Sequence, residues 1–399
     1  MTTAVIVDAV RTAGGKRNGS LSGWHSADLA AQVLRAIVER NNLDPALVDD
    51  VLMGCVSQVG AQALNVGRNA VLAAGFPESV PSTTIDRQCG SSQQAAAFAA
   101  QGVIAGAYDI AIAAGVEVMS LVPMGASVGD VKRTGFPFGE GVGLRYAEVG
   151  GLIPQGISAE RIADKWGLSR EDLDGFSAES HRRAAQATAE GRFENEIIPV
   201  RGKRRDRDSG EVSVLDGMVT ADEGIRPDST VESLGNLKPA FDPNGKVTAG
   251  NSSQITDGAS AALIMSETKA AELGLRPRAR FHTFALAGVD PVMMLTGPIP
   301  ATQKALERSG LSIDDIDVFE VNEAFASVVL AWHKETGADL AKTNVNGGAV
   351  ALGHPLGCSG TKLLATMLNE LERTGGRYGL QTMCEGGGMA NATIIERLD

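Results

Sequence analysis

The sequence predicts an α/β protein whose largely parallel or mixed sheets are covered by helices on both faces. Segments typical of strands alternate with segments of helical spacing along the chain. The order of these segments in the first part of the chain recurs in the last part, which suggests an internal repeat. The composition, with 48 glycines in 399 residues and only 4% aromatic residues, suits tightly packed layers.

The first elements follow from local patterns. AVIVDAVRTA alternates like a strand, and SADLAAQVLRAIVERNNL follows with helical spacing after a serine suited to an N-cap. A short acidic turn then leads into a second strand in DPALVDDVLMGCV. Much later, PIPATQKALERSGLSIDDIDVFEVNEAF repeats helix, turn, paired acids and apolar strand. Residues 42–55 align loosely with residues 310–323 and keep their apolar positions, so we expect two related halves.

Each half also carries a loop before a helix and a loop after a strand, in QCGSSQQAAAFAAQGVIAGAYDIAIAAGVEVMS and in HPLGCSGTKLLATMLNELERTGGRYGLQTMCEGGG. Packing about a pseudo-twofold axis would bring these loops to one site. Two helical stretches and a polar, turn-rich region lie between them, and we interpret these as an inserted lid or ligand-binding subdomain. The predicted domains are residues 1–119 with 249–270, residues 120–248, and residues 271–399.

Charge and motif content exclude several classes of function. The formal net charge of −12 argues against a nucleic-acid or anionic-membrane partner. Residues 201–208, RGKRRDRD, are a basic exception, and we expect either a solvated surface loop or a contact to a phosphorylated ligand. No apolar run approaches a membrane span, and the N-terminus carries no export or import signal, so we expect a cytoplasmic protein without membrane insertion.

The usual sequence signatures of nucleotide hydrolysis and of NAD chemistry are absent. Neither the phosphate-loop pattern nor a dinucleotide-binding glycine pattern lies between a strand and a helix. The four cysteines and five histidines form no metal-binding pattern, so we expect no metal site. In a reducing compartment the cysteines would be free thiols, and some of them candidate nucleophiles.

Cys89, in TTIDRQCGSSQQAAAFAAQ, directly precedes a predicted alanine-rich helix. A thiol at a helix N-terminus feels the positive end of the helix dipole, which predicts a lowered pKa. The alternative is a small buried hydrophobic residue. His354, in GGAVALGHPLGCSG, is the candidate base, because its glycine- and proline-rich loop predicts an exposed imidazole.

Two other polar positions complete the candidate set. Asn322, in VNEAFA, ends an apolar strand and is either a helix N-cap or the holder of a water or an oxyanion. Cys384 precedes three glycines, which permit sharp bending or close approach. We predict that this second thiol shuttles a proton while N–H groups of the turn stabilise an oxyanion.

These four motifs, Cys89 in CGSSQQA, Asn322 in NEAF, His354 in GHP and Cys384 in CEGG, occur together and in order. Over its full length the chain therefore resembles the thiolase family. The resemblance implies two βαβαβαββ halves packed as five layers, α/β/α/β/α, with a loop domain inserted in the first half. It also implies a homotetramer, as a dimer of dimers, or a homodimer.

The resemblance further implies thiolytic cleavage of a 3-oxoacyl-CoA to acetyl-CoA, or propionyl-CoA, and a shortened acyl-CoA. His354 would activate Cys89, which attacks the 3-keto carbon and becomes acylated. Cys384 would protonate the departing enolate and then deprotonate a second CoA. One oxyanion would be bound by His354 with a water on Asn322, and the other by the N–H groups of Cys89 and Gly386.

Coenzyme A is thus the expected co-substrate, and no tightly bound cofactor is expected. By the resemblance, Ser253 would contact the pantetheine and Arg226 the nucleotide, while Phe241, Met294 and Phe325 would form the pocket walls. From the residues alone, Arg226 is equally a surface ion-pair partner and Phe241 a core residue. Cys55 and Cys358 are interpreted as packing residues, with a redox role as the alternative for Cys358.

The sequence departs from the common family pattern at several positions. Residues 154–156 read Pro-Gln-Gly where many short-chain members have His-Met-Gly, and Leu295 stands where glycine is common. Ser92 stands where glycine often follows the nucleophile motif. Glu385 follows Cys384 where an apolar residue is common. A carboxylate close to a thiol would raise the thiol pKa and move the pH optimum upward.

The first two departures favour a degradative enzyme of lipid or steroid metabolism, including fatty acid β-oxidation, with a bulkier acyl group. The alternatives are a biosynthetic acetoacetyl-CoA thiolase, a condensing enzyme acting on carrier-protein thioesters, and a thiolase-like lipid carrier or binding protein. A condensing enzyme would be expected to use two histidines in place of the second cysteine. A carrier usually lacks part of the catalytic set.

Overall fold

A computed structural model describes residues 2–398. Its strands are β1 (Ala4–Arg11), β2 (Gly15–Lys16), β3 (Asp50–Gly54), β4 (Ser82–Ile85), β5 (Ile110–Val118), β6 (Val200–Arg205), β7 (Val212–Val219), β8 (Thr256–Ser266), β9 (Ala279–Gly288), β10 (Val318–Val321), β11 (Tyr378–Glu385) and β12 (Met389–Arg397). Its α-helices are α1 (Ser26–Arg40), α2 (Val66–Ala73), α3 (Ser91–Ala105), α4 (Val131–Thr134), α5 (Glu140–Arg145), α6 (Gln155–Lys165), α7 (Arg170–Ala189), α8 (Val231–Gly235), α9 (Glu267–Glu272), α10 (Pro298–Ser309), α11 (Ala326–Thr336), α12 (Ala349–Leu352) and α13 (Ser359–Thr374).

Within residues 2–398, a 10-stranded sheet has the order β10-β11-β12-β9-β1-β8-β5-β3-β4, with β2 beside β8. A short antiparallel pairing of β1 with β9, Val5 with Arg280 and Ile6 with Ala279, joins its two parts. Strand directions repeat outward from this seam. The pairs β1·β8 and β8·β5 are antiparallel and β5·β3 is parallel, just as β9·β12 and β12·β11 are antiparallel and β11·β10 is parallel. The predicted relation between the halves is confirmed.

The buried clusters define five layers. One outer cluster packs α1 and α2 against the strands of the first half, and another packs α10 and α11 against those of the second. Between the two parts of the sheet, α3 and α13 contribute alanines and leucines such as Ala99 and Leu368, which contact strands of both halves. Burial on both faces explains why these strands are near-continuously apolar. The α/β/α/β/α architecture expected from the resemblance is present.

The chain between β5 and β8 contains α4 to α8 and the hairpin β6–β7. Helices α6 and α7 coincide with the two helical stretches predicted there. The basic residues 201–208 lie on strand β6 and in the turn after it, so the expectation of a loop is only partly right. Its Lys203 ammonium lies 3.5 Å from the ring centroid of Trp24. The proposed domain boundaries stay predictions.

No helix within residues 2–398 combines the length and the apolarity that crossing a bilayer requires.

Candidate active site

Cys89 lies in the turn between β4 and α3, directly before the helix as predicted. Gln88 has a φ of 48°, in the left-handed region that side chains rarely adopt. Its N–H donates to Asp86 Oδ1 at 2.7 Å, which holds this turn. The thiol is 6% exposed and packs with Leu356 and Met383. The backbone thus directs Cys89 inward, toward the loop that carries His354.

The expectation of a lowered Cys89 pKa is wrong. Burial, together with smaller contributions from the charges of Glu385 and Glu117, raises the pKa of this thiol to about 12. The N–H groups of Cys89 itself and of Gly386 oppose this shift, because both lie within hydrogen-bonding reach of the sulfur. Desolvation outweighs the contribution of the helix terminus, so Cys89 rests as a neutral thiol.

His354 is also buried, at 3% exposure, and the expectation of an exposed imidazole is wrong. Its loop is covered because α13 and the residues around Thr256 pack on it, and the Thr256 hydroxyl accepts the His354 N–H at 3.1 Å. Burial, with a smaller contribution from the Lys362 charge, lowers the pKa of His354 to about 3. The resting imidazole is therefore neutral.

A hydrogen-bond chain sets the tautomer of His354. The Ser359 hydroxyl donates its proton to the Pro355 carbonyl at 2.9 Å, and its oxygen lies 2.6 Å from His354 Nδ1. Since the hydroxyl has one proton, Nδ1 must be the donor in the second bond. Nε2 consequently carries the lone pair, which is the arrangement a general base needs.

Asn322 directly follows β10, and its Nδ2 lies 3.4 Å from His354 Nε2. It is not a helix N-cap, because α11 begins at Ala326 with Phe325 in the cap position. Its Oδ1 is buried and has no hydrogen-bond partner within the described chain. An amide with a free acceptor beside the base can hold a water molecule there.

Cys384 lies near the end of β11, so it belongs to a strand and the glycines form the turn after it. Its Cα is paired with that of Ala390 on β12. Gly387 and Gly388 have φ values of 84° and 78°, which glycine alone adopts readily. Gly386 lies close to the Cys89 loop, because a Cβ there would lie 3.0 Å from Gln88 Oε1. Of the three glycines, Gly386 lies against the Cys89 loop, while Gly388 lies against Val289 and Pro291.

The two thiols are close enough for the charge of one to raise the pKa of the other. Burial raises the pKa of Cys384 well above its usual value, and the neighbouring Cys89 and Glu385 raise it further. Glu385 is 0% exposed and acts on both thiols, as the hypothesis of a nearby carboxylate requires. Burial raises the pKa of Glu385 itself to about 8, against the opposing charge of Arg87.

The predicted substrate-side residues fall into two groups. Met294, Phe325 and Cys384 belong to one buried cluster, which also contains Leu295. Phe241 is not core: it is 43% exposed, with its ring edge-on to Phe325 at 5.9 Å between centroids. An apolar wall therefore runs from Cys384 to the surface.

The other group lies further out. Ser253 is half-buried, and its N–H donates to the Ala324 carbonyl at 2.9 Å, beside Phe325. The Arg226 side chain is exposed, while its backbone N–H donates to His181 Nδ1 at 3.1 Å. Cys358 is buried and donates to the Ser260 hydroxyl at 3.2 Å, in agreement with a packing role.

Sequence reasoning missed the residues that hold the His354 loop. Besides Ser359, the Lys362 ammonium donates to the Leu352 and Gly353 carbonyls, both at 2.9 Å. The Glu117 carboxylate accepts the Gly357 N–H at 2.9 Å and also binds the N–H groups of the loop after β3. Two features of the sequence could have indicated these residues. Glu117 is a single carboxylate within the apolar strand GVEV, and Lys362 is a lysine on an apolar helix face.

Comparison with known proteins agrees with this geometry. The sequence model described as thiolase, N-terminal domain, matches residues 4–268, and that of the thiolase C-terminal domain matches residues 275–397. The chain is 52% identical to the steroid 3-ketoacyl-CoA thiolase FadA6 of Mycobacterium tuberculosis, covering 100% of this chain and 95% of that protein. It is 45% identical to a 3-ketoacyl-CoA thiolase of Aliivibrio fischeri, with 100% of both chains covered.

Solved structures give the same result. The crystal structure of the Bacillus anthracis acetyl-CoA acetyltransferase superimposes with a TM-score of 0.88 at 38% identity, covering 100% of this chain and 99% of that one. Both domain models, the full-length relatives and the repeated strand order agree. This chain belongs to the thiolase family.

Proposed function

We propose that this protein cleaves a 3-oxoacyl-CoA with coenzyme A, releasing acetyl-CoA or propionyl-CoA and a shortened acyl-CoA. The observation that carries the proposal is the position of the two thiols. Cys89 and Cys384 interact at one buried site, and the Gly386 N–H reaches the Cys89 sulfur. Ping-pong acyl transfer needs a nucleophile, a proton carrier and an oxyanion donor at one place, and these groups supply all three.

The first half-reaction acylates Cys89. As the sulfur attacks the 3-keto carbon, His354 Nε2 accepts the thiol proton, and a C–S bond forms. The C2–C3 bond then breaks, and its electron pair leaves with the acetyl-CoA enolate, which Cys384 protonates at C2. Both thiols rest neutral because they are buried, so proton transfer accompanies attack rather than preceding it.

The second half-reaction transfers the acyl group to CoA. The Cys384 thiolate, left by the first step, takes the proton of the CoA thiol. The CoA sulfur attacks the Cys89 thioester, the new C–S bond replaces the old one, and the Cys89 thiolate regains its proton from His354. Claisen condensation is the reverse reaction and would use the same residues.

Two oxyanions develop, and two sets of donors support them. His354 Nε2 acquires its proton in the first step, so it becomes a donor beside Asn322, 3.4 Å away. A water on the Asn322 amide would complete this set. The N–H groups of Cys89 and Gly386 converge at the Cys89 sulfur, where the second oxyanion would form on the acyl carbonyl.

Coenzyme A is the proposed co-substrate. Ser253 is suited to the pantetheine, since it lies at the half-buried margin of the apolar wall. The exposed Arg226 guanidinium is suited to the nucleotide phosphates. No tightly bound cofactor enters the reaction as proposed.

The acyl group is proposed to be bulkier than acetyl. Gln155 belongs to the Pro-Gln-Gly stretch, which differs from the common family pattern. Its Nε2 lies 3.5 Å from the position a Cβ of Gly386 would take, beside the reacting thiols. The exposed Phe241 ring continues the apolar wall outward. The FadA6 relative is named a steroid 3-ketoacyl-CoA thiolase, which makes polycyclic and long linear 3-oxoacyl-CoAs the substrates to compare.

A homotetramer or homodimer in the cytoplasm is part of the proposal. The segment around α4 and α5 exposes large apolar side chains, among them Phe136 at 58% and Leu144 at 69%. Leu64, near the edge strand β4, is 91% exposed. Apolar surface of this kind is typical of interfaces between subunits, and light scattering coupled to size-exclusion chromatography measures the state directly.

The test is intact-mass spectrometry with peptide mapping after mixing the protein with acetyl-CoA or with a long-chain 3-oxoacyl-CoA. An acyl adduct on the Cys89 peptide, absent in Cys89→Ala, supports the proposal. The absence of adduct with every acyl-CoA tried would refute it and favour a carrier or a carrier-protein enzyme.

A second candidate is acetoacetyl-CoA synthesis, which the structural similarity to an acetyl-CoA acetyltransferase favours. Comparing the rates of condensation of acetyl-CoA with those of thiolysis across chain lengths distinguishes the two. Preference for acetyl-CoA over every longer substrate would favour the biosynthetic enzyme.

A further inference from the structure

Glu385 is a buried carboxyl group that the proposed mechanism does not use. It ends strand β11 with 0% exposure. Neither of its oxygens has a hydrogen-bond partner within the described chain. A charged carboxylate in such a place is costly, so the group is stable there only while it carries its proton.

The Glu385 carboxyl group lies beside the backbone that carries the reactive thiol of Cys89. A Cβ on Gly90 would lie 2.1 Å from Glu385 Oε1, so the carboxyl rests directly on the backbone of the residue after Cys89. Asn391 Nδ2 donates to the Gly90 carbonyl at 3.1 Å and lies against the same spot. Glycine at position 90 is what leaves room for the carboxyl.

The charged and titratable groups near Glu385 come from the Cys89 loop and from strand β11 itself. The two thiols, Cys89 and Cys384, each feel its charge, and Arg87 and Asp86 act on it from the Cys89 loop. Arg87 is half-buried, and its Nε has no hydrogen-bond partner within the described residues. One cation therefore faces three groups that become negative on losing a proton, with Asp86 as a further carboxylate nearby.

We propose that Glu385 is a pH-determining residue of this site: the Cys89 thiolate forms while Glu385 is neutral, and ionisation of Glu385 in alkaline solution suppresses acylation. The proposal rests on the proposed function only for its effect on turnover. Since like charges at short range repel each other, a second negative charge at this site costs more free energy than the first. Burial raises the pKa of Glu385 to about 8, which places the transition just above neutrality.

The direction of the effect differs from that of an ordinary thiol site. A thiolate population normally rises steadily with pH toward the thiol pKa. Here the rise is damped once Glu385 ionises, because its charge raises the pKa of Cys89. Replacement of the carboxyl by a neutral amide of the same shape, Glu385→Gln, removes the damping while filling the same space over Gly90.

The test measures alkylation of Cys89 by iodoacetamide between pH 7 and pH 10, quantified by peptide mapping so that the other cysteines do not contribute. The ratio of the rate in Glu385→Gln to that in wild type should rise from about one at pH 7 to about fivefold at pH 9 and approach about tenfold at pH 10, since one unit of thiol pKa is a factor of about ten. A ratio that stays constant across this range would overturn the proposal.

Glu320→Gln is the matched control. Glu320 is a second carboxyl at 0% exposure whose two oxygens have no hydrogen-bond partner among the described residues, but it lies on β10 and faces Glu323, Glu196 and Glu370. Its substitution should leave the pH dependence of Cys89 alkylation unchanged. An equal change in both variants would contradict the proposal, because it would reflect general loosening of the core.

Two readouts separate this inference from the proposed function. Alkylation needs no acyl-CoA, so it reports on Glu385 even if no thiolysis is found. If thiolysis is found, its kcat/KM should fall above pH 8 in wild type and stay level in Glu385→Gln, which is the opposite of the upward shift in pH optimum expected from the sequence. Wild type alone provides a further check should the variant not fold: the logarithm of its alkylation rate must bend downward near pH 8, and a straight line of unit slope excludes the proposal.

Discussion

His354 Nδ1 donates to the hydroxyl of Ser359 across 2.6 Å, and this bond decides which imidazole nitrogen can act as a base. The Ser359 hydroxyl is already committed as a donor to the Pro355 carbonyl. The bond therefore holds both the ring orientation and the tautomer of His354.

Ser359→Ala should lower kcat by about tenfold to a hundredfold, part of the ~10²–10⁴ that general acid–base catalysis contributes. The ring loses its partner and samples the tautomer in which Nε2 carries the proton. Ser359→Thr keeps the hydroxyl and should retain most of the activity. Steady-state kinetics at saturating CoA measure both, and equal rates in Ser359→Ala and wild type would exclude this role.

The three glycines after Cys384 should respond differently to substitution. Gly386→Ala introduces a Cβ 3.0 Å from Gln88 Oε1, so the side chain of Gln88, the residue before Cys89, must move by a few tenths of an ångström. We expect slower acylation of Cys89 with little change in stability. The measurement is the rate of adduct formation by mass spectrometry.

Gly387→Ala meets no atom within 4 Å but has a φ of 84°. We expect it to lower the free energy of unfolding by about 1 kcal/mol, because a left-handed conformation is strained for alanine. Denaturant titration of both variants tests the contrast, and a larger loss of stability in Gly386→Ala would contradict it.

The buried histidines should make the protein sensitive to acid. Burial lowers the pKa of His354 to about 3, below its ordinary value of 6.5. A depressed histidine pKa means that the unfolded chain binds the proton more readily. Its contribution to stability is complete above pH 6.5 and is lost as the pH falls toward 3.

The expected slope is on the order of 1.4 kcal/mol per pH unit below about pH 6.5 for this group. Urea unfolding at pH 7, 6 and 5 should give a smaller slope in His354→Asn than in wild type. Burial and the charge of Arg226 lower the pKa of His181 to about 4. This histidine should therefore preserve part of the dependence of the unfolding free energy on pH in that variant. Parallel slopes in the two proteins would show that His354 titrates normally.

A buried ion pair ties the intervening segment to the first strand. Arg11, at 0% exposure, donates to Asp222 through Nη1 at 2.8 Å and Nη2 at 3.0 Å, and to Glu196 through Nε at 2.6 Å. Asp222→Asn should reduce the free energy of unfolding by about 3–5 kcal/mol, since it leaves a buried cation without this partner.

The control is Arg182→Ala on α7. Arg182 pairs with Glu179 at 2.6 Å, but the two side chains are 59% and 39% exposed. Exposed pairs of this kind contribute roughly 0–1 kcal/mol. Denaturant midpoints that fall equally in the two variants would contradict the assignment of the Arg11 network as a structural anchor.

Much of the fold was predictable because its signals are local. The recurrence of helix, acidic turn and apolar strand, near residues 42–55 and 310–323, predicted the halves that the strand order repeats on either side of the β1–β9 seam. The glycines after Cys384 predicted a tight turn, since positive φ at Gly387 and Gly388 is a property of single residues. The residues 201–208 were harder, because charge alone does not distinguish an edge of a hairpin from a loop.

The sequence by itself determined the α/β class, the repeated halves and the motif residues Cys89, Asn322, His354 and Cys384. The tertiary structure decided their protonation: His354 is buried and Cys89 has a raised pKa, contrary to expectation. It also revealed Ser359 as the partner of His354 Nδ1. The physical reason is that a pKa depends on desolvation and on charges that folding brings close, and neither can be inferred from neighbours in the chain. Glu385 and Cys89, for example, are nearly 300 residues apart in the sequence.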